Sequence, residues 1–285
     1  MRDLRLRLRD GRDLAYTEIG DPAWPCVIFF HGAPASRLRV AYIEPQLLAK
    51  GVRVVSPDRP GYGGSSPQHG RSMADWIPDV TELADALGIH RFAVAGHSTG
   101  GPYAVACAAL LPERVSAGMV LGGVTDMGWP GAWKGYPETE IHLMRLASEE
   151  SAAAWCLEKY GADGGGFMTS SGIAFPEPDE RLYANEEVAR LLAASRREAF
   201  RQGVTGYAQD MVVQGRPWPV DPRAITAPFE VVHGELDTIL PMAHSRHTAE
   251  LIPGSVLRVL PGHGHLTILG ELPSLASALL GTNRV

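Results

Sequence analysis

Gly96-His97-Ser98-Thr99-Gly100 sets one hydroxyl between two glycines in a G-x-S-x-G pattern. An apolar run, Phe92-Ala93-Val94-Ala95, precedes it and an alanine-rich segment follows. In that order the five residues read as a sharp turn from a strand into a helix. Such a turn leaves no room for side chains two positions either side of the serine, which accounts for Gly96 and Gly100. It lifts the Ser98 hydroxyl above a sheet and sets it at a helix N-terminus, where developing negative charge is stabilised. A serine so placed is suited to attack on a carbonyl, provided that a base takes its proton and a third group orients the base. Three later segments end apolar runs with groups of the right type. Asp126 follows the run 119–121, Gly234-Glu235-Leu236-Asp237 follows 229–233, and Pro261-Gly262-His263-Gly264-His265-Leu266 follows 257–260.

These groups must be held by a scaffold, and the rest of the chain predicts one. Leu4-Arg5-Leu6-Arg7-Leu8 alternates with period two, and with 14–19 it reads as a hairpin turning near Gly11 and Asp13. Cys26–Phe30 is an apolar run suited to a strand buried on both faces, and 52–56 is another. Helical spacing covers 37–50, stopped by Gly51, and 73–87, stopped by Gly88. After 119–121 the strand–helix alternation pauses. Positions 125–222 carry mostly helical patterns, including 141–160 and 186–201. Alternation resumes with the strands 229–233 and 257–260 and the helices 242–251 and 266–280. The pattern predicts an α/β fold, a mostly parallel sheet of about eight strands with helices on both faces. The middle stretch is roughly three times longer than one crossover needs. It predicts a helical cap, 125–222, over the carboxyl ends of the strands of a core made of 1–124 and 223–285. The cap also holds most of the negative charge: between Pro137 and Arg216 acidic residues outnumber basic ones, as on solvated helix faces.

His31-Gly32-Ala33-Pro34, the loop Asp58-Arg59-Pro60-Gly61-Tyr62-Gly63-Gly64-Ser65, the Ser98 turn, Gly234 to Asp237 and Gly264-His265 together resemble the α/β-hydrolase family over nearly the whole chain. The likeness is to its cap-bearing serine hydrolases with an H-G-x-P oxyanion loop. The resemblance implies that the Ala33 and Thr99 amides form the oxyanion hole. It selects His265 as base, with His263 at the rim, and Asp237 as acid, in the chain order Ser98, Asp237, His265. Asp126 is the alternative acid, because some members place theirs before the cap. Glu235 is a third carboxylate nearby, turned away from His265 if Asp237 faces it. Gly32 and His97 are pocket candidates, and the 58–65 loop is taken as structural. Trp155, Phe167 and Met168 are candidate cap residues for setting substrate preference.

Composition narrows the function. In 285 residues, Lys and Arg number 26 against 32 Asp and Glu, a net charge of −6 with no basic footprint for nucleic acid or anionic membrane. The longest apolar runs are about half a membrane span. Met1 to Asp10 lacks the continuous apolar region of a secretory signal. Three distant cysteines, Cys26, Cys107 and Cys156, form neither a disulfide framework nor a zinc site and suggest a reducing, cytoplasmic compartment. His31, His97 and His233 are dispersed without metal-site spacing, so no metal and no cofactor is expected. The partner expected is a small-molecule substrate: an ester, thioester or lactone, cleaved through an acyl-enzyme. A carbon–carbon bond hydrolase with the same triad, or a small-molecule sensor that keeps fold and triad, are the alternatives. Related epoxide- and halide-processing proteins carry Asp where this chain has Ser98. Proline iminopeptidase relatives carry G-G-S-W-G, which Gly96 to Gly100 does not match.

Overall fold

The alternating runs pair as eight strands among residues 1–281, which the computed structural model describes. They are β1 (Arg2–Arg7), β2 (Asp13–Ile19), β3 (Cys26–Phe30), β4 (Arg53–Pro57), β5 (Phe92–His97), β6 (Val115–Leu121), β7 (Phe229–Gly234) and β8 (Val256–Leu260). Their order across the single sheet is β1-β2-β4-β3-β5-β6-β7-β8. β2 runs antiparallel to β1 and β4, and the six strands from β4 to β8 are parallel. Those six therefore present their carboxyl ends along one edge, where ligands bind in such sheets.

The helices are α1 (Glu44–Ala49), α2 (Trp76–Ala86), α3 (Gly101–Leu110), α4 (Glu138–Met144), α5 (Glu149–Tyr160), α6 (Phe167–Ser170), α7 (Glu177–Ala184), α8 (Glu186–Ala199), α9 (Thr205–Gln214), α10 (Met242–Leu251) and α11 (Leu272–Leu280). Residues of α2 and α3 pack with Ile28, Phe30 and Val94 on one face of the sheet. On the other, Leu47 of α1 and Leu272 and Ala276 of α11 pack with Val27, Phe29 and Ala95. Alternate residues of β3 and β5 thus serve opposite cores, which is why each strand is apolar throughout. At the sheet edge β1 keeps its alternation, with Leu4 and Leu6 half-buried and Arg2, Arg5 and Arg7 exposed. Edge charges of this kind discourage pairing with another chain. Among the described residues no helix is long and apolar enough to cross a membrane.

Three expected helices are broken: 266–280 is a 3-10 helix, Thr267–Glu271, followed by α11, with Pro273 in the first turn of α11, and the other two also break for local reasons. The 37–50 segment is a 3-10 helix, Arg37–Ile43, followed by the short α1, because Pro45 has no amide to continue the ladder from before Glu44. The 141–160 segment is α4 and α5, because Ser148 makes a reciprocal cap with Ser151 that starts a new helix.

Among the described residues six α-helices, α4 to α9, lie between β6 and β7, and all but α7 contribute to a core that includes Tyr160, Phe167, Phe200 and Tyr207. They are tied to the sheet domain through Asp210 of α9, which is fully buried. Its carboxylate accepts from Arg59 Nη2 at 2.8 Å, Arg71 Nη2 at 2.9 Å, Tyr103 Oη at 2.7 Å and Tyr62 Oη at 3.1 Å. Burial alone would raise its pKa, but the two guanidiniums outweigh that and hold it well below the usual carboxylate range. The backbones also meet without side chains between them. A Cβ at Gly206 would stand 2.2 Å from the Gly61 carbonyl oxygen.

Removing Asp210 leaves two buried guanidiniums and two phenols without their acceptor. Asp210→Ala is expected to cost about 3–5 kcal/mol and to lower the melting temperature by roughly 6–15 °C. Asp221→Ala, which breaks an exposed pair with Arg223, should shift it little. A thermal melt by circular dichroism distinguishes them; similar melts for both would remove Asp210 from its structural role.

Candidate active site

β5 ends at His97 and α3 begins at Gly101, with a one-turn 3-10 helix, Ser98–Gly100, between them. Ser98 has φ of 56°, the one positive φ at a non-glycine residue among the described residues. A residue held there costs about 1–3 kcal/mol and persists only where its surroundings enforce it. Here they do. A Cβ at Gly96 would lie 2.2 Å from the Gly100 carbonyl oxygen, and a Cβ at Gly100 would lie 2.0 Å from that of Phe30. The two glycines let the turn close against itself and against β3, as the sequence predicted. Gln214 of α9 donates to the Thr99 carbonyl at 2.8 Å, and the Val124 amide donates to the Ser98 carbonyl at 3.2 Å.

Two loops after β7 and β8 carry Asp237 and His265 to the same edge. Gly234 pairs with Leu260 in register, and the Leu236 amide donates to the His263 carbonyl at 2.9 Å. His265 Nδ1 lies 2.8 Å from Asp237 Oδ2. The other oxygen of Asp237 accepts from the Ile239 and Leu240 amides at 2.9 and 2.8 Å. Burial works against ionisation of Asp237, but the imidazole and the Leu240 amide prevail, and its pKa lies below the ordinary carboxylate value. An ionised carboxylate only accepts, so the His265 nitrogen that faces it, Nδ1, carries a proton, and Nε2 is the nitrogen turned away from Asp237.

The rival groups are engaged elsewhere. Asp126 Oδ1 accepts from the Gly128 and Trp218 amides at 2.9 and 3.0 Å, a loop-closing role. Glu235 accepts from the Gly262 amide at 3.3 Å. His263 points toward Glu271, with Nε2 3.9 Å from its carboxylate. Among the described residues no cluster of three or more His, Cys, Asp or Glu could hold a metal ion.

Ser98 and His265 line one cavity with Gly32, Ala33, His97 and Thr99. Thr99 sits in the first turn of the 3-10 helix, where an amide has no acceptor within the helix. Gly32 is needed for closeness: a Cβ there would be 3.0 Å from Ser98 Cβ. His97 Nε2 lies 2.7 Å from the His265 carbonyl oxygen and donates to it. Burial, and then the neighbouring imidazole of His265, depress the His97 pKa well below the ordinary value. Phe167 and Met168 line the cavity, whereas Trp155 does not; its ring packs against His142 and Tyr160.

Three groups near the site had no sequence signal. Asp179, in the first turn of α7, is fully buried and accepts from the Leu266 and Thr267 amides at 3.0 and 2.9 Å, directly after His265. A Cβ at Gly264 would press to 2.6 Å from the same carboxylate. Arg59 sits in the loop that the sequence assigned to turn-building alone; it donates to the His31 carbonyl and to Asp210. Glu140, on α4, lines the cavity and accepts from Tyr207 Oη at 3.0 Å.

Burial pushes the Glu140 carboxyl up to about 7, against the Tyr207 hydrogen bond that favours its ionised form. The folded chain therefore keeps this proton between about pH 4.5 and 7 while the unfolded chain loses it. Stability falls as pH rises through that window and levels off above it. Gln keeps an acceptor for Tyr207 and cannot ionise. Glu140→Gln should match the parent at pH 4 and exceed it at pH 8 by an amount on the order of 3 kcal/mol. Denaturant unfolding at the two pH values measures this; a difference that does not grow with pH would contradict it.

The comparisons with known proteins bear on the fold and the family. Residues 25–272 match the family model described as the alpha/beta hydrolase fold. The chain is similar to the uncharacterised hydrolase YcgS of Bacillus subtilis, 27% identical over 286 residues and 95% of each chain. It is also similar to a 2-hydroxymuconate semialdehyde hydrolase of Pseudomonas putida, 30% identical over 75% of this chain and 71% of that one. Among solved structures, the enol-lactonase from Burkholderia xenovorans LB400 superposes with a TM-score of 0.67 at 21% identity, over 98% of this chain and 97% of that chain. With the strained serine turn, the parallel sheet edge and the matched 25–272 span together, the chain belongs to the α/β-hydrolase fold family.

Proposed function

We propose that the protein is a serine hydrolase that cleaves a small ester, thioester or lactone through an acyl-enzyme on Ser98. The observation that carries this reading is the meeting, in one cavity, of a serine held at φ 56° and a His265 imidazole whose Nδ1 is 2.8 Å from Asp237. His265 Nε2 takes the Ser98 proton as Oγ attacks the carbonyl. The carbonyl oxygen, now negative, is received by the Ala33 and Thr99 amides. Collapse expels the alcohol or thiol with the proton from His265. Water, deprotonated by the same nitrogen, then releases the acid and restores Ser98. No step asks for a cofactor. The helices between β6 and β7 act as a cap: Phe167 and Met168 on α6 reach the cavity from there and bear on substrate preference.

A carbon–carbon bond hydrolase using the same three groups is the second reading. It is favoured by the 30% identity to the 2-hydroxymuconate semialdehyde hydrolase. A turnover screen across p-nitrophenyl esters of graded chain length, thioesters, lactones and a vinylogous 1,5-diketone acid separates the two. Near-zero turnover on all of them, with a ligand bound tightly, would favour a sensor.

Ser98→Ala should lower kcat by roughly 10⁴–10⁶ with the fold intact. An organophosphonate should add once per chain, at Ser98, as read by peptide mass spectrometry. Labelling at another serine would move the nucleophile.

Asp237→Asn keeps the shape but favours the wrong imidazole tautomer, and should lower kcat by about 10⁴. Asp126→Asn and His263→Ala should leave kcat near the parent value, while His265→Ala should abolish turnover. Steady-state rates on one ester decide; a strong loss in Asp126→Asn with a mild one in Asp237→Asn would transfer the acid to Asp126.

A further inference from the structure

Five largely buried guanidiniums of this chain have a carboxylate partner. Arg12 has Asp79, Arg37 has Asp58, Arg53 has Glu18, and Arg59 and Arg71 share Asp210. Arg39 and Arg196 are different. Both line the cavity that holds Ser98 and His265, and among the described residues neither has a carboxylate within ion-pair distance. Arg39 Nε is buried and donates to nothing. An unsatisfied charged donor is costly, so a site that retains one is suited to an acceptor brought in from outside.

The two arginines come from two elements far apart in the chain. Arg39 lies on the 3-10 helix Arg37–Ile43 of the sheet domain, and Arg196 on α8 of the segment between β6 and β7. Their elements are joined just beside them, where the Ser36 amide donates to Ser195 Oγ at 3.0 Å. Burial, and then the positive charge of Arg39, depress the pKa of Arg196; the Tyr183 hydroxyl is its hydrogen-bonding neighbour. Two like charges that disfavour each other and share no anion would both be relieved by one. Glu140 lines the same cavity but is engaged by Tyr207, and neither arginine is among the groups that perturb it. The remaining wall, with Phe175, Leu192 and Leu266, is apolar.

Resting on the serine hydrolase reading above, we propose that the substrate carries a free carboxylate, received by the guanidiniums of Arg39 and Arg196, beside the bond that Ser98 attacks. A planar guanidinium matches a carboxylate with two parallel N–H donors, which a lysine does not. The apolar wall then takes the hydrocarbon body, and the charge sets which end of the molecule faces Ser98.

The test uses two pairs of esters matched in length. Mono-p-nitrophenyl glutarate against p-nitrophenyl pentanoate places the charge on the acyl side, and 4-carboxyphenyl butyrate against phenyl butyrate places it on the leaving group. In at least one pair the carboxylate member should have the higher kcat/KM by roughly tenfold or more. That ratio should collapse toward one in Arg39→Gln and in Arg196→Gln, and should shrink with added salt. Neutral members favoured or equal in both pairs, with Ser98 still labelled by phosphonate, would overturn the carboxylate and leave the hydrolase standing. Absence of both turnover and label would instead sink the hydrolase reading. Binding is then read alone: phenylacetate should raise the melting temperature of the parent and phenylacetamide should not. Equal shifts by acid and amide would overturn the inference whatever the chemistry, and that measurement needs no folded variant.

Discussion

A carboxylate shut away from water joins the two halves of this molecule. Asp210 stands on the last α-helix before β7, yet its partners lie on the sheet domain: Arg59 in the glycine-rich loop after β4, Arg71 just before α2, Tyr62 and Tyr103. One negative charge between two guanidiniums leaves a buried excess of positive charge, softened by the aromatic faces of Tyr62 and Tyr103, 5.2 and 4.9 Å from Arg59. Arg59 in turn donates to the His31 carbonyl and reaches Thr99 Oγ1 at 3.5 Å. The loop bearing Ala33 and the turn bearing Thr99 are therefore both anchored to one charge network. Their spacing is maintained by the same contacts that hold the inserted helices on the sheet.

What could be read from sequence was what sterics decide locally. Gly96 and Gly100 are forced by a turn of five residues, so the pattern announces the geometry. Continuous apolar runs announce buried parallel strands, and chain order was enough to bring the loops of Asp237 and His265 side by side. What escaped depended on partners far along the chain. Asp179 looks like any acid in a first helical turn, and its acceptor role involves residues 87 and 88 positions away. Arg59 looked like filler in a loop of glycine and proline. Glu140 is an ordinary helical glutamate until Tyr207 and the aromatic core enclose it. The broken helix at Ser148 was visible in principle, since a serine opening a run with two glutamates after it is a helix start.

Arg39 and Arg196 bring permanent positive charge to the cavity walls. His31 and His97 both flank the Ser98 turn, and burial holds both well below the ordinary imidazole value. Each spends its ring on backbone: His31 on the Gly32 carbonyl at 2.8 Å, His97 on that of His265 at 2.7 Å. They act as neutral struts that shape the walls without titrating beside the hydroxyl.

The bonds from Asp179 join α7 mechanically to the loop after His265. Two amides and the Thr267 hydroxyl lean on this one carboxylate, 3.0 Å or less from each. Swinging α7 outward would strip all three at once and leave that loop without its brace. The backbone directly after His265 is thus braced from a helix inserted between β6 and β7, and a change that loosens α7 acts on the loop that carries the imidazole.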